Sequence, residues 1–549
     1  MKKICGKIIQ PHKKKIFDGC IYIENKTIIK IESVDEEFDN YIIPGFIDSH
    51  VHIESSMLTP EKFGELAVKN GTVAVVADPH EIANVLGKEG VEFMINSSKK
   101  TPLKIFFMAP SCVPATDFET SGSKLTFKDI EFLYNKYKEE IIGLAEVMNY
   151  PGVLNNDKEI IEKINISKRY NKKIDGHAPN LRSDNLKKYI SYNIDTDHEC
   201  STIDEALEKI NYGMKIQIRE GSAAKDFESL HYLIEMFPNK IMFCTDDSHP
   251  NDLINIGHIN KIVKQSKKYN HNIFNILNAS SVNAINHYKI PVGYLEVKQP
   301  ADFIIVNNLD EFDILQTYID GELVYDKNAN FQVNKALIQH NINKFYAKKI
   351  KPEDLIINCN NNFPLTLNVI EAFDGSLITK KIVEKLDCSN NQVKSSTYKD
   401  ILKIVVYNRY DENSKPTIGF IKGFKIKEGA IASTVAHDSH NIIAVGSADE
   451  YILKAINKIV EMKGGLVAVS NTKIEYLKLE IAGLMTNLDG SLVSDKYLKI
   501  DNLAKEIGCK FHSPFMTLSF MALLVLPELK ISDKGLFDSN NFKFIKLIN

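Results

Sequence analysis

The segment Pro44-Gly45-Phe46-Ile47-Asp48-Ser49-His50-Val51-His52-Ile53-Glu54 closes an apolar run with a His-x-His pair. On a strand, the period of two puts both imidazoles on one side. Imidazole nitrogens are good ligands for zinc, iron and manganese, so two converging on one point make half a metal site. His-x-His alone is equally compatible with a structural or surface role, and what decides is whether further ligands follow at a regular interval. Glu146 lies 94 residues beyond His52, His177 follows Glu146 by 31, His198 follows His177 by 21, and Asp246 follows His198 by 48. In βα units of about 30 residues these positions end strands one, four, five, six and eight, with 214–218 as strand seven. The C-terminal ends of such strands are where α/β barrels keep their active sites.

Short apolar runs at 41–47, 72–77, 103–108, 141–144 and 240–243 are separated by helix-length polar stretches. That alternation is the pattern of a parallel sheet. About 250 residues suffice for eight βα units, so residues 45–290 are expected to form a (β/α)8 TIM barrel. Residues 1–44 alternate β-branched runs with polar turns, and the meander returns at 301–306 and 317–325, where Asp320-Gly321 is a hairpin signal. Residues 1–44 and 291–345 are therefore expected to pair as one composite β-sandwich domain. Residues 346–549, with runs at 401–407, 431–435, 442–445 and 465–469 and a helical stretch at 448–461, read as a mixed α/β domain. The fold class is α/β.

The 549 residues are 44% hydrophobic and 25% charged, an ordinary globular composition. Lys plus Arg of 68 against Asp plus Glu of 71 gives a net charge of −3, so no basic field attracts nucleic acid or an anionic membrane. Eight cysteines never fall within four residues of each other, which leaves no Cys-x-x-Cys pair and predicts buried free thiols. The N-terminus has no apolar stretch behind its lysines, and the most apolar window, 515–526, is shorter than the roughly 18 residues of a membrane span. A soluble cytoplasmic protein is expected. Homo-oligomerisation is compatible with all of this.

The metal-type residues at strand ends resemble the amidohydrolase superfamily. That resemblance implies His50, His52 and Asp246 on one divalent metal, His177 and His198 on a second, and Glu146 bridging the two where many members use a carboxylated lysine. Further words narrow it: 50–57, Ala77-Asp78-Pro79-His80-Glu81, Ile218-Arg219-Glu220-Gly221, Cys244-Thr245-Asp246-Asp247-Ser248-His249-Pro250, Ala436-His437-Asp438-Ser439-His440-Asn441 and Glu480-Ile481-Ala482-Gly483 are similar to those of the bacterial and archaeal adenine deaminases. The resemblance spans nearly the whole chain. It implies a hydrolase of purine salvage that converts adenine to hypoxanthine and ammonia, with Mn2+ favoured and Fe2+ or Zn2+ also suited to the ligands. Two cations sharing one water bring its pKa toward about 7, which makes a nucleophile for C6 of adenine. Asp246 would carry the proton to the leaving amine and Glu146 the bridging charge, while Glu81, Arg219, Glu220 and Asp247 are candidates for contacting the purine.

Other readings stand beside this one. The scaffold also suits a cyclic-amide or N-acetyl hydrolase, or a non-catalytic metal-binding scaffold. His80-Glu81-Ile82-Ala83-Asn84 starts like a zincin helix but has Asn84 where the second histidine belongs. Arg219 and Glu220 could pair with each other. The His437–His440 segment either forms a polar network of its own or reaches the barrel mouth. His12, His231, His258, His271, His287, His340 and His512 are scattered and are expected to be inert.

Overall fold

A computed structural model describes residues 1–329, 342–359 and 364–549. His340 and part of the flank 291–345 lie outside the described residues. The run expected at 41–47 is two strands: Tyr41–Pro44 joins the N-terminal meander, and Phe46–Val51 opens the α/β block. Gly45 sits at the crossing, where a Cβ would stand 2.2 Å from Val73 Cγ1. No side chain fits there.

Strands from both flanks form one continuous seven-stranded sheet, in the order Glu322–Asp326, Ile314–Ile319, Phe303–Val306, Tyr41–Pro44, Lys2–Gln10, Lys15–Glu24, Thr27–Ser33. The alternation read in the sequence sorts its faces. Ile9, Ile43, Ile304 and Val306 pack toward the α/β block, while Ile8, Ile42 and Phe303 pack on the other side. Cys5 and Cys20 are directly opposite each other on adjacent antiparallel strands and are disulfide-bonded, as are Cys359 and Cys388. The expectation of eight free thiols is therefore corrected: Cys112, Cys200, Cys244 and Cys509 are the free ones. Sequence separations of 15 and 29 concealed these pairs, of which strand register brings Cys5 and Cys20 together.

The α/β block has eight parallel strands in two hydrogen-bonded sheets. Phe46–Val51, Thr72–Ala77, Lys104–Ala109, Ile141–Val147 and Lys173–Gly176 make the first; Thr196–Asp197, Lys215–Arg219 and Ile241–Cys244 make the second. Spatial order follows chain order, and helices cover the crossovers. Every residue of Thr72–Ala77 is buried, which is why it reads as an unbroken apolar run. Backbone bonds tie the two sheets together at both margins. The His52 N–H donates to the Asp246 carbonyl at 3.1 Å and the Asp246 N–H to the His50 carbonyl at 3.0 Å; on the other side, the Asp195 N–H donates to the Ile174 carbonyl at 3.3 Å.

Beyond the block, eight strands between Leu365 and Lys478 form a second large sheet. The helix Asp449–Met462 packs on one face, with Ile452, Ile456 and Ile459 against Val405, Ala444 and Val467; Ile404 and Val406 belong to the opposite face, where Ile404 lies near Ile531 and Leu536. The apolar window of the sequence becomes the short helix Pro514–Ser519 and the turn Phe520–Ala522, both buried. Among the described residues no helix is long and apolar enough to cross a membrane.

One buried ion cluster braces the strand ends. Lys209 Nζ, with no exposure, lies 2.9 Å from Asp197 Oδ2 and 2.8 Å from Glu205 Oε1, and also donates to the Ala178 carbonyl. Asp197 in turn accepts the backbone N–H groups of Ala178, Glu199 and Cys200. Lys209→Met would strand two buried carboxylates, and breaking a buried pair costs about 3–5 kcal/mol. Denaturant unfolding should show a loss of that size, and a loss below about 1 kcal/mol would contradict the bracing role.

Candidate metal centre and active site

His50 and His52 are buried at the end of the first strand, with their Nε2 atoms 3.1 Å apart. His52 Nδ1 is 3.1 Å from the Asp78 carbonyl, an acceptor only, so Nδ1 carries the proton and Nε2 presents its lone pair. From the last strand, Asp246 Oδ1 stands 3.1 Å from His52 Nε2 and 3.5 Å from His50 Nε2. Glu146 fills the middle. Its Oε1 is 3.3 Å from His52 Nε2, and its Oε2 is 2.5 Å from His177 Nδ1 and 3.1 Å from His198 Nε2. The structure thus brings all six expected ligand residues together, in overlapping groups whose ligand atoms lie within 4.8 Å of one another.

The donor chemistry fits a divalent cation. Imidazole nitrogens and carboxylate oxygens converge in a buried position, with His52 presenting a lone-pair Nε2 beside His50 Nε2. His177 Nε2 and His198 Nδ1 have no hydrogen-bond partner. Their other nitrogens face Glu146, so the cluster offers His and carboxylate donors of the kind that could hold a metal ion.

Two expected purine-contacting residues line the same cavity and two do not. Glu81 and Asp247 border it together with His52, His80, Glu146, His177, His198, Glu199 and Asp246. Arg219 lies behind Asp246: its Nη1 is 3.0 Å from Asp246 Oδ2, its Nε 2.9 Å from Asp226 Oδ2, and it is bonded to Glu199. Glu220 is a correction. Successive residues at a strand end point to opposite sides, so with Arg219 turned inward, Glu220 faces an outer hollow with Lys225 and Lys261. The two do not pair with each other.

The C-terminal domain reaches the mouth. His437 Nδ1 bonds one oxygen of Glu81 and His440 Nε2 the other, and the His437 ring stacks on Phe520 with centroids 4.5 Å apart. Asp438 lies 3.8 Å from His80 Nε2. Leu377, Phe520, Leu523 and Leu526 supply an apolar roof, and Met148 adds to it from below. His80 and Glu199 are the ligand-type residues that sequence reading passed over. His80 carried a signal, since it closely follows the second strand as His52 follows the first, and Glu199 stands beside His198; the leucines carried none.

Burial pushes the Glu81 carboxyl up, but His437 and His440 outweigh it and hold it well below the usual carboxylate range. Burial lowers His437 while Glu81 raises it, to about 9, whereas burial keeps His440 down. One protonated imidazole thus faces the carboxylate. Burial and the neighbouring Asp246 push Asp247 up. Because the folded pKa of His437 lies above its unfolded value of about 6.5, its stabilisation is complete below that pH and fades as pH rises through about 9. The wild type should lose on the order of 3 kcal/mol across that window in pH-dependent unfolding. Glu81→Gln should be less stable at low pH and flatter with pH. A constant difference at every pH would remove the ion pair from the account.

The model of the Amidohydrolase family matches residues 41–324, and that of the Adenine deaminase C-terminal domain matches residues 376–543. The adenine deaminase of Borreliella afzelii (strain PKo) is 48% identical over 550 residues, covering 99% of each chain. That of Sulfurovum sp. (strain NBC37-1) is 50% identical over 535 residues, covering 97% of each. Among solved structures, N-acetyl-D-glucosamine-6-phosphate deacetylase from Mycobacterium smegmatis aligns with 59% of this chain and 100% of its own, at 10% identity and a TM-score of 0.46. With both family models matched, and with full-length relatives at this identity, the chain belongs to the adenine deaminase family of the amidohydrolases.

Proposed function

We propose that this protein hydrolyses adenine to hypoxanthine and ammonia. The observation that carries the reading is the pairing of a convergent His/carboxylate cluster with a small cavity roofed by the adenine-deaminase-type C-terminal domain. The cavity is narrow and mixes polar with apolar lining, which suits a small heterocycle. Its floor is polar and its roof is Leu377, Phe520, Leu523 and Leu526, as a flat ring with one reacting edge requires.

We assign His50, His52 and Asp246 to one divalent ion, His177 and His198 to a second, and Glu146 to both, with manganese favoured over iron or zinc. Such ions, when bound, lower the pKa of a shared water and so supply the nucleophile. The eight parallel strands serve as one (β/α)8 barrel over residues 45–290, with 1–44 and 291–345 as its β companion and 346–549 as its lid.

Water adds to C6, and the C6–N bond breaks as the exocyclic nitrogen leaves as ammonia. Asp246 takes the proton of the attacking water at Oδ1 and delivers it to that nitrogen. Arg219, on Oδ2, keeps Asp246 ionised until the proton arrives and fixes the carboxylate's orientation. Glu81, held as a carboxylate, accepts hydrogen bonds from purine N–H groups. Asp247, with its raised affinity for a proton and its bond from Ser55, is suited to donate to a ring nitrogen as electron density builds there.

Ammonia release should be measured with adenine, adenosine, cytosine, guanine and dihydroorotate side by side on manganese-supplemented enzyme. Adenine should be the substrate, and turnover of another compound with adenine inert would overturn the assignment. Asp246→Asn should lose about 10² to 10⁴ in kcat with a much smaller change in substrate binding. An unchanged kcat would take Asp246 out of the proton path.

A further inference from the structure

The face of the α/β block opposite the metal centre holds a second cleft of about 600 Å³, lined among others by Lys172, Lys173, Lys215, Lys289, His287 and Asp195. The sequence dictates its charge. Lys173 and Lys215 are the first residues of their strands, and Lys240 immediately precedes Ile241–Cys244. Three of the four successive strands here therefore start with a cation on the same side, and the fourth, Thr196–Asp197, follows Asp195. One oxygen of the one carboxylate in the lining is engaged, since Asp195 Oδ2 is 2.7 Å from Lys173 Nζ. Lys172 donates to the Lys138 and Ile141 carbonyls. Lys215 and Lys289 have no hydrogen-bond or ion-pair partner among the described residues.

His287 forms part of the floor. It is 3% exposed and its Nε2 has no hydrogen-bond partner. The nearest acceptor, Asp195 Oδ1, is 3.6 Å away, beyond a good bond, and is itself unpartnered. A buried polar atom of this kind needs an occupant. Burial lowers the Lys215 ammonium to about 8, and Lys173 and Lys240 lower it further than Asp195 can restore. Burial, with Lys215, Lys173 and Lys240, keeps His287 neutral, so its ring can offer an N–H to an anion. At the rim, Tyr212 is 39% exposed beside Gly213, whose surroundings are open.

We propose that this cleft binds a phosphate-class oxyanion, held by Lys215 and Lys289 and by the N–H of His287. Lysine ammonium groups are point-charge phosphate binders, and the imidazole adds a directed donor. Two sources share this chemistry, inorganic phosphate and a nucleoside monophosphate whose base would lie toward Tyr212. The site lies at the N-terminal ends of the strands, away from the proposed chemistry, so its occupancy is separable from turnover.

The test is calorimetric titration of the full-length protein with inorganic phosphate, and separately with AMP, near physiological ionic strength, where loose surface attraction is screened. Saturable phosphate binding at about one site per chain is expected. It should weaken about tenfold or more in Lys215→Gln and in Lys289→Gln, since each removes a charge-assisted contact. Lys289 is exposed, so its variant keeps the test valid if Lys215→Gln misfolds. His177→Ala, at the other face, should leave phosphate binding unchanged. Equal affinity for phosphate and AMP identifies the inorganic ion, and tighter binding of AMP that is lost in the same variants identifies the nucleotide. Absence of saturable binding, or an equal loss in the control Lys268→Gln, would overturn the proposal.

Discussion

Everything at the mouth of the α/β block is arranged around one buried carboxylate. Glu146 is almost entirely removed from water, and an ionised carboxyl there is tolerable only if cations or strong donors surround it. His177 and His198 contact one of its oxygens and His52 Nε2 faces the other, each delivered by a different strand, which leaves the cluster suited to a cation. That requirement passes outward. His52 is oriented by the Asp78 carbonyl, and the loops carrying His177 and His198 are tied to Asp197, which Lys209 neutralises. Asp48, two residues before His50, accepts from the Thr245 N–H at 3.1 Å and lies 2.8 Å from His258 Nε2, which joins the first strand to the last. The polar interior is thus a sequence of paired charges ending in ordinary backbone bonds.

The same logic explains the third domain. A cavity open to bulk water would weaken every electrostatic interaction inside it. The segment 436–441 closes one side by placing His437 and His440 on the two oxygens of Glu81, and the Phe520 to Leu526 stretch covers the rest with apolar side chains. Interdomain backbone bonds, such as the Thr486 N–H to the Met57 carbonyl at 2.9 Å, hold this cover at the end of the first strand. Glu81 therefore belongs to both domains, and the barrel face alone would lack a roof.

How much of this was legible depended on how local the signal was. The six candidate ligand residues were readable because each falls at or just past the end of a strand in a parallel α/β repeat, so chemistry and topology coincide at one position. The same rule applied to 72–77 would have found His80. Glu220 misled because proximity to a strand end says nothing of which side a residue faces until the inward partner, here Arg219, is fixed. The disulfides, the engagement of Glu81 by His437 and His440, and the structural role of His258 were hidden because they depend on pairings across tens to hundreds of residues, such as the 356 positions between Glu81 and His437. Leu377 and Leu523 look like any core leucine, since lining a cavity requires only being apolar in the right place.

The central claim, that Glu146 is shared between two ligand sets, is tested most directly by metal content. Elemental analysis of protein prepared with manganese and little chelator should give about two equivalents per chain for the wild type, as expected of a two-metal site. In Glu146→Gln, which keeps the shape but loses the shared charge, it should fall to about one or less while circular dichroism stays unchanged. Full activity with a single equivalent in the wild type, or two equivalents retained undiminished in Glu146→Gln, would contradict the account.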